Sequence, residues 1–334
     1  MSRPHPVILP YGTAAVAEAA TLIRDGGIVA VPTETVYGLA ADATNAEAVA
    51  RIYAAKGRPS FNPLIVHVGD LAAAERIAVF DADARALAVA FWPGPLTLVL
   101  PVRQDSGIAA LVTAGLDTIA IRVPRHRVMQ GLIAASSRPL AAPSANASGG
   151  ISPTTAAHVA ASLGANVPLI LDDGATEAGL ESTIVAGRSV LRPGPVTAEA
   201  LMMHLPGGGR GPVGTSDVTE RGADHRRPPT GPRPSPGGSA VTAPGQLESH
   251  YAPSKALRLN AIDAERDEWL IGFGDVAGDV SLSASGDLVE AAARLFDLLH
   301  AADANDAARI AIAPIPARGI GEAINDRLRR AAHR

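Results

Sequence analysis

GGIVAVPTETVYGLAADATNAEAVARIYAAKGRPSFNPLIVHV, residues 26–68, contains two short apolar runs that predict strands, at 28–31 and 64–68. The first strand breaks at Pro32 into a hydroxyl-rich turn over residues 33–35. The side-chain oxygens of this turn can cap local backbone groups, or they can face a ligand at the carboxyl end of the strand. Both interpretations stay open at this point.

A predicted helix lies between the two strands and ends in a cationic turn. Asn45 is a suitable N-cap for a helix over 45–56, and a glycine follows the last helical residue. Lys56 and Arg58 flank that glycine, where the helix dipole alone already favours a cation. The turn KGRPSFNP also contains Asn62, and this concentration of donors suits a polyphosphate.

Polar residues accompany other predicted strands as well. His67 lies in the apolar strand 64–68, where a core histidine is the commoner case, but the neighbouring cationic turn favours a functional role. Arg122 ends the strand TIAIR, and a buried arginine needs an anion, either a protein carboxylate or a ligand carboxylate. The segment PSANASGG, residues 143–150, reads either as a surface turn or as a phosphate-binding nest. Residues 181–183 either cap a strand or face the same ligand.

The amino-acid composition limits which classes of protein this chain can belong to. The chain has 334 residues, 47% of them hydrophobic, which predicts two domains with packed cores. The net charge of -4 gives no global electrostatic case for nucleic-acid binding. The sequence contains no cysteine, which excludes disulfides and thiolate chemistry. Because neither a signal peptide nor a run of about 18 apolar residues is seen, we expect a cytoplasmic protein with no membrane contact.

The order of predicted elements divides the chain in three. Residues 1–205 mix helices and strands without strict alternation, which predicts an open α/β sheet of mixed direction. Residues 206–254 are rich in glycine, proline and arginine and read as a linker. We interpret this segment as a solvated tether. Residues 255–334 predict a small Rossmann-like α/β domain whose thin core should pack against the first domain.

Seven segments, in order, closely resemble the YrdC/YciO family of threonylcarbamoyl-AMP synthases: PTETVYGL, KGRPSFNPLIVHV, FWPGPLTLVL, IRVP, APSANASG, ESTIV and LRPG. They cover most of residues 13–196. GQLESHYAPSKAL and AINDRLRRAA resemble the long, two-domain form of that family. The resemblance implies a twisted YrdC-like sheet with a concave cavity. It also implies a nucleotidyltransferase that joins L-threonine, bicarbonate and ATP, with Mg²⁺, into threonylcarbamoyl-adenylate and pyrophosphate.

The resemblance further implies roles for particular residues, and a product used by the tRNA-threonylcarbamoyl transferase machinery. The arginines of residues 206–243 could therefore contact tRNA or partner proteins, although a solvated tether is the interpretation we favour. The residues implied for L-threonine are Thr35, His67, Arg122 and Ser182. Those implied for ATP are Lys56, Arg58, Asn62, Thr118, Ser144, Asn146, Ser152, Arg192, His250 and Tyr251. Lys56 and Arg58 are the catalytic candidates, and His250-Tyr251 would cover the cavity as a lid. No magnesium ligand is implied, since ATP phosphates can hold the metal.

Two alternatives remain. A relative of the same fold could handle another carbamoyl or phosphate substrate, but all four threonine-binding candidates are present in this sequence. A non-catalytic RNA-binding module is the second alternative. The net charge of -4 and the aromatic content of 3% argue against it, because few side chains could stack on bases.

Overall fold

The computed structural model describes residues 6–206 and 250–333. Most of the predicted linker, residues 207–249, lies outside the described residues. Two β-sheets with packed helices occupy the described ranges, which confirms the predicted α/β class. None of the helices in these ranges combines the length and the apolar character needed to cross a membrane.

In the described part of the first domain, ten strands form one open sheet. They are β1 (Val7–Pro10), β2 (Val29–Val31), β3 (Gly38–Asp42), β4 (Ile65–His67), β5 (Leu96–Pro101), β6 (Thr118–Arg122), β7 (Leu140–Ala141), β8 (Leu169–Asp172), β9 (Thr183–Ala186) and β10 (Ser189–Arg192). Their order is β1-β8-β2-β3-β7-β4-β6-β5-β9-β10. The sheet contains both parallel pairs, such as β4 with β6, and antiparallel pairs, such as β2 with β3, so the predicted mixed sheet is confirmed.

Helices cover both faces of this sheet. They are α1 (Thr13–Arg24), α2 (Ala46–Lys56), α3 (Leu71–Ile77), α4 (Ala82–Phe91), α5 (Ala110–Thr113), α6 (Arg127–Ser136), α7 (Ala156–Leu163) and α8 (Ala198–His204). The apolar faces of α1 and α6 pack together on one side of the sheet. The apolar faces of α2, α3, α4, α7 and α8 share a core on the other side.

Helix α2 shows why the opening stretch folds as it does. The Asn45 side chain accepts hydrogen bonds from the backbone N–H groups of Glu47 and Ala48, as expected of an N-cap. Gly57 ends the helix in the left-handed conformation, with φ 61°, which costs glycine little. These two signals fix the length of the helix, and they place Lys56 at its carboxyl end beside the polar turn.

Three strand ends bring the polar residues together. Strand β2 ends at Val31, immediately before the hydroxyl-rich turn. Strands β4 and β6 run parallel, and their register places His67 beside Arg122 at the carboxyl ends of both strands. An opening at the carboxyl ends of strands is the usual ligand site of an open α/β sheet. The turn after β2 and the ends of β4 and β6 therefore lie at the same edge of the sheet.

The second domain contains a parallel sheet and two helices. Its described elements are β11 (Ala256–Arg258), β12 (Glu268–Gly272), β13 (Val280–Ser281), β14 (Arg309–Ile312), α9 (Leu288–Ala304) and α10 (Ile320–Ala332). The strand order is β11-β14-β12-β13, and all pairs are parallel. This arrangement agrees with the predicted Rossmann-like unit.

The two domains share one apolar cluster. Val36, Ile151 and Leu180 of the first domain are buried in the same cluster as side chains of α9 and α10. Gly179 has φ 65°, and a Cβ added there would collide with backbone carbonyl oxygens of α9. The small second domain therefore packs directly against the first, as its thin core requires.

Candidate active site at the strand ends

A cavity lies at these strand ends, and the empty space in it and at its mouth is about 570 Å³ when the adjoining solvent is included. Nine of the predicted site residues line it: Thr35, Arg58, His67, Arg122, Ser144, Ser182, Arg192, His250 and Tyr251. The other five predicted residues, Lys56, Asn62, Thr118, Asn146 and Ser152, lie outside its lining. The cavity wall thus collects residues that lie nearly 220 positions apart in the sequence.

Arg122 is held by three partners of the protein itself. Its Nη2 donates to Glu34 Oε1 at 2.6 Å, its Nη1 donates to Thr35 Oγ1 at 3.0 Å, and its Nε donates to the Gly94 carbonyl at 3.0 Å. Glu34 supplies the anion that the sequence argument required. These contacts leave part of the guanidinium's donor capacity unused, so a ligand carboxylate can still bind it.

Burial makes Glu34 a strong partner for Arg122. Desolvation alone would raise the pKa of Glu34, but the Arg122 guanidinium outweighs it and the pKa is lowered. Glu34 therefore stays ionised, and its second oxygen accepts from the backbone N–H of His126 at 3.3 Å. The turn after β2 is in this way fixed to the end of β6.

His67 is a neutral, buried imidazole. Burial, followed by the nearby Arg122 charge, lowers the pKa of His67 to about 3. Its Nδ1 has no hydrogen-bond partner among the described residues, although the side chain is almost completely buried and lines the cavity. A buried polar atom without a partner is costly, and a polar ligand group in the cavity would satisfy it.

Ser182 connects two strands of the cavity wall. Its Oγ lies 2.8 Å from Thr97 Oγ1, and its carbonyl oxygen accepts from Arg192 Nη2 at 2.9 Å and from Nε at 3.1 Å. Arg192 Nη2 also donates to Ser182 Oγ at 3.2 Å. The guanidinium of Arg192 is therefore aimed along the wall of the cavity rather than into solvent.

Arg58 and Asn62 come from the cationic turn after α2. Arg58 donates from Nε to the Asn62 carbonyl at 3.2 Å and from Nη2 to the Pro63 carbonyl at 2.9 Å. Burial lowers the pKa of Arg58 to about 10, so it remains a cation at neutral pH. The Asn62 amide is fully buried, and neither of its polar atoms has a partner among the described residues.

Lys56 holds the turn that follows β7. Its buried ammonium donates to the carbonyls of Ser144 and Asn146, and it lies 3.4 Å from Asn146 Oδ1. Burial and the Arg58 charge lower the pKa of Lys56 well below its usual value. An ammonium has three donors, and all of them face the turn in this conformation. The role of Lys56 as a phosphate ligand stays a prediction.

The side chains of this turn are also bonded to one another. Ser144 Oγ donates to Asn146 Oδ1 at 2.6 Å, and Asn146 Nδ2 donates to the Gly150 carbonyl at 2.7 Å. Asn146 is therefore a structural residue of the turn, whereas Ser144 lines the cavity. Thr118 begins β6, at the opposite end of that strand from Arg122.

The His250-Tyr251 pair closes one side of the cavity. The backbone N–H of Ala252 donates to the Gly149 carbonyl at 2.8 Å, and that of His250 donates to the Arg330 carbonyl at 3.3 Å. Tyr251 is fully buried, in the left-handed region with φ 65°, and its ring packs against Phe296 of α9. The segment is thus held by both domains.

Two functional candidates were missed by sequence reasoning. Glu181 lines the cavity and accepts from Ser152 Oγ and from Arg327 Nε, whereas the sequence singled it out only as part of the turn 181–183 and gave it no role of its own. Arg327 lies on the buried face of α10 between Ile324 and Leu328. A cation within an apolar stripe is the signal that could have revealed it, because such a residue needs a buried anion.

The arrangement suits binding and charge stabilisation rather than covalent catalysis. The cavity wall contains three cations, Arg58, Arg122 and Arg192. It also contains two neutral hydrogen-bonding groups, the imidazole of His67 and the hydroxyl of Ser182. Among the described residues, no group of three His, Cys, Asp or Glu side chains could hold a metal ion. Of the described carboxylates at the cavity, Glu34 is bonded to Arg122 and Glu181 to Arg327.

Two protein-family models match the chain. Residues 21–194 match the Sua5_yciO_yrdC model, described as "Telomere recombination". Residues 196–333 match the Sua5_C model, described as "Threonylcarbamoyl-AMP synthase, C-terminal domain". The two matches together cover both domains of the fold.

Individual relatives agree with these models. The threonylcarbamoyl-AMP synthase of Bacillus subtilis is 38% identical over 95% of this chain and 92% of its own length. That of Pyrococcus abyssi is 37% identical over 94% of this chain and 93% of its own length. The crystal structure of P. abyssi Sua5 complexed with L-threonine superposes with a TM-score of 0.79 at 33% identity, covering 98% of this chain and 97% of that one.

Proposed function

Because the chain belongs to the Sua5 family of threonylcarbamoyl-AMP synthases, we propose that it converts L-threonine, bicarbonate and ATP into threonylcarbamoyl-adenylate and pyrophosphate. The observation that carries this proposal is one cavity lined by two sets of polar groups: Arg122, His67 and Ser182, which suit an amino acid, and Arg58 and Arg192, which suit phosphates. We assign the first set to a threonine half of the site and the second to a nucleotide half, and the two halves meet where Arg192 donates to Ser182.

The first half suits an amino acid. Arg122 retains donor capacity beside Thr35, so it can bind the threonine carboxylate as a charge-assisted pair. The neutral imidazole of His67 and the hydroxyl of Ser182 can then bond the amine, the carbamate or the side-chain hydroxyl. A P. abyssi relative has been crystallised with L-threonine, which supports this assignment.

The second half suits a nucleotide triphosphate. Arg58 and Arg192 are buried cations on the cavity wall, and the unpartnered Asn62 amide lies beside the same turn. Ser144 presents its hydroxyl from the turn held by Lys56. We assign Arg58, Asn62, Ser144 and Arg192 to ATP, with Lys56, Asn146 and Ser152 acting through the turns that they hold. Thr118 begins β6 outside the cavity lining, so its assignment to ATP rests on the sequence resemblance alone.

The proposed chemistry needs no protein nucleophile. The threonine amine combines with bicarbonate, losing water, to form a carbamate. A carbamate oxygen then attacks the α-phosphorus of ATP, and pyrophosphate leaves with the electrons of the broken phosphoanhydride bond. The protein's contribution is to orient the carbamate in line with that bond and to stabilise the developing charge with Arg58 and Arg192. The reaction is a nucleotidyl transfer.

Magnesium enters as part of the substrate. The carboxylates described around the cavity already have arginine partners, so ATP phosphates are the groups that fit the ion best. The adenylate product would serve the downstream tRNA-threonylcarbamoyl transferase machinery. Domain boundaries at 205 and 254 are part of the same proposal, with the end of the linker, residues 250–254, closing the site.

His250 and Tyr251 serve as the lid in this scheme. A carbamoyl-adenylate is hydrolysed by water, so a segment that covers the cavity protects it. Both side chains line the cavity, and burial with the surrounding cations lowers the pKa of His250 well below its usual value. His250 is therefore a neutral covering group rather than a cation.

Pyrophosphate release from ATP tests the proposal. It should require both L-threonine and bicarbonate, and omission of either should reduce it to background. Arg192→Gln should raise the KM for ATP about tenfold or more, because it removes one cation of the nucleotide half. Arg188→Gln is the matched control, since Arg188 is exposed and paired with Asp83 on the outside of the domain. Release without threonine would contradict the proposal.

A further inference from the structure

A fully buried arginine of the second domain reaches the wall of the cavity. Arg327 lies on α10 with no exposed surface, and its Nε donates to Glu181 Oε2 at 2.7 Å. Its Nη1 donates to Asp326 Oδ2 at 2.7 Å, and its guanidinium lies 5.2 Å from the centre of the Tyr251 ring. Arg327 is thus a cation placed directly behind the cavity.

Glu181 links this arginine to the nucleotide side of the site. Its other oxygen, Oε1, accepts from Ser152 Oγ, so both carboxylate oxygens are used. Glu181 is followed by Ser182, whose carbonyl and hydroxyl accept from Arg192. The two arginines therefore contact adjacent residues of the chain.

We propose that Arg327 is a positioning residue for the nucleotide half: by neutralising Glu181 it keeps the guanidinium of Arg192 on Ser182. This inference rests on the proposed function, because it assigns Arg192 to ATP. It gives the second domain a direct part in forming the site, beyond covering it.

Two cations, Arg327 and Arg192, compete for the buried anion of Glu181. Burial alone would raise the pKa of Glu181, but Arg327 lowers it most strongly and Arg192 next, so the carboxylate is charged. A buried carboxylate that loses its closest cation is strongly driven to find another. Arg192 is the next cation, and moving toward Glu181 would take it away from Ser182 and from the triphosphate.

A purely structural role for the Arg327–Glu181 ion pair, joining the two domains, makes a different prediction. If the ion pair only joined the domains, removing either partner should have the same effect. In the competition, removing Arg327 leaves a charge that captures Arg192, whereas removing the charge of Glu181 leaves Arg192 in place. Arg327 then still has Asp326 as a partner. The effects of the two substitutions should therefore be unequal.

The test compares Arg327→Met, Glu181→Gln and the double variant in the full-length protein. Arg329→Met is the matched control, because Arg329 is exposed on the same helix. Three quantities are measured for each: the KM for ATP in pyrophosphate release, the Kd of a non-hydrolysable ATP analogue by calorimetry, and the midpoint of thermal unfolding.

We expect Arg327→Met to raise the KM and the Kd about tenfold or more, and Glu181→Gln to raise them less. Adding Glu181→Gln to Arg327→Met should return both values to those of Glu181→Gln alone. Equal effects of the two single substitutions, or no recovery in the double variant, would overturn the inference. If Arg327→Met does not fold, the double variant and Glu181→Gln still decide the matter: a double variant that binds the analogue tenfold more weakly than Glu181→Gln would overturn it.

The two readouts separate this inference from the proposed function. If the wild-type protein binds the ATP analogue but releases pyrophosphate without threonine, the proposed reaction fails while the Kd values still test Arg327. If release depends on threonine and bicarbonate but the Kd is unchanged in Arg327→Met, the reaction stands and the positioning role is wrong.

Discussion

Arg122 Nη2 lies 2.6 Å from Glu34 Oε1, and both side chains are almost completely buried. The pair joins the turn after β2 to the end of β6, and it presents the guanidinium to the cavity. Removing one partner of a buried ion pair leaves an uncompensated charge, while removing both charges avoids that penalty.

We therefore predict that Arg122→Gln lowers the free energy of unfolding by about 3–5 kcal/mol, since it leaves Glu34 without its cation. Adding Glu34→Gln should recover most of this loss, because no buried charge remains. The recovery should not extend to function, and the double variant should still bind threonine at least tenfold more weakly than the wild type. Urea unfolding and threonine calorimetry measure the two effects. A double variant with wild-type threonine affinity would show that Arg122 does not bind the ligand.

Lys56 gives a second prediction. Lys56→Met should destabilise the protein by about 1–3 kcal/mol, because carbonyls of the turn at Ser144 and Asn146 lose a buried donor. It should also raise the KM for ATP about tenfold, since the turn lines the cavity.

Lys255 provides a matched control for this substitution. Its ammonium likewise donates to two backbone carbonyls, of Ala302 and Asn305, but at the carboxyl end of α9 away from the cavity lining. Lys255→Met should cost stability and leave the KM for ATP within about twofold of the wild type. Equal KM values for both lysine variants would contradict the role of Lys56 in the site.

Because the folded protein holds His67 neutral, we predict that acid lowers the stability of the fold. Its pKa is lowered to about 3 in the folded protein, so the unfolded chain binds a proton first as pH falls below about 6.5. Stability from the neutral imidazole is present above that value and is lost progressively toward pH 3. Between pH 7 and pH 5 the loss due to His67 should be about 2 kcal/mol.

Urea unfolding of the wild type and of His67→Asn at both pH values measures this contribution. The variant should lose about 2 kcal/mol less than the wild type over the same interval. An identical loss in both proteins would mean that the folded state does not hold His67 neutral.

Gly179 lies where the two domains touch, so a side chain added there should weaken the contact between them. Its φ of 65° and the adjacent backbone of α9 leave no room for a Cβ, whereas Gly174, with φ 80°, has open space around the same position. Gly179→Ala should destabilise the protein by about 3 kcal/mol, and Gly174→Ala by about 1 kcal/mol, the cost of the left-handed backbone alone. Thermal unfolding compares them. Equal losses would show that α9 can move aside at no cost.

Local signals in the sequence were sufficient for much of the fold. Asn45 and the glycine after Lys56 determine α2 through capping chemistry that acts within a few residues. Strand β3, Gly38–Asp42, was not predicted, because GLAAD lacks the β-branched and aromatic residues typical of strands. Its pairing with β2 and β7 is what stabilises it.

The site was predictable as a set of polar turns, but the partners of those turns were not. The sequence placed Arg122 at a strand end that needs an anion, yet it did not distinguish Glu34 from a ligand. Likewise, Arg327 meets Glu181 from 146 positions away, through the packing of two domains. Long-range pairings of this kind depend on tertiary geometry, which no local pattern encodes.

In the proposed reaction, threonine's nitrogen acquires a carboxyl group from bicarbonate before that group is joined to AMP. Incubation with ATP, L-threonine and ¹³C-bicarbonate, followed by mass spectrometry of the adenylates, tests it directly. We predict threonylcarbamoyl-adenylate carrying the heavy carbon, and none when threonine is omitted. An unlabelled threonyl-adenylate, or no adenylate at all, would contradict the account.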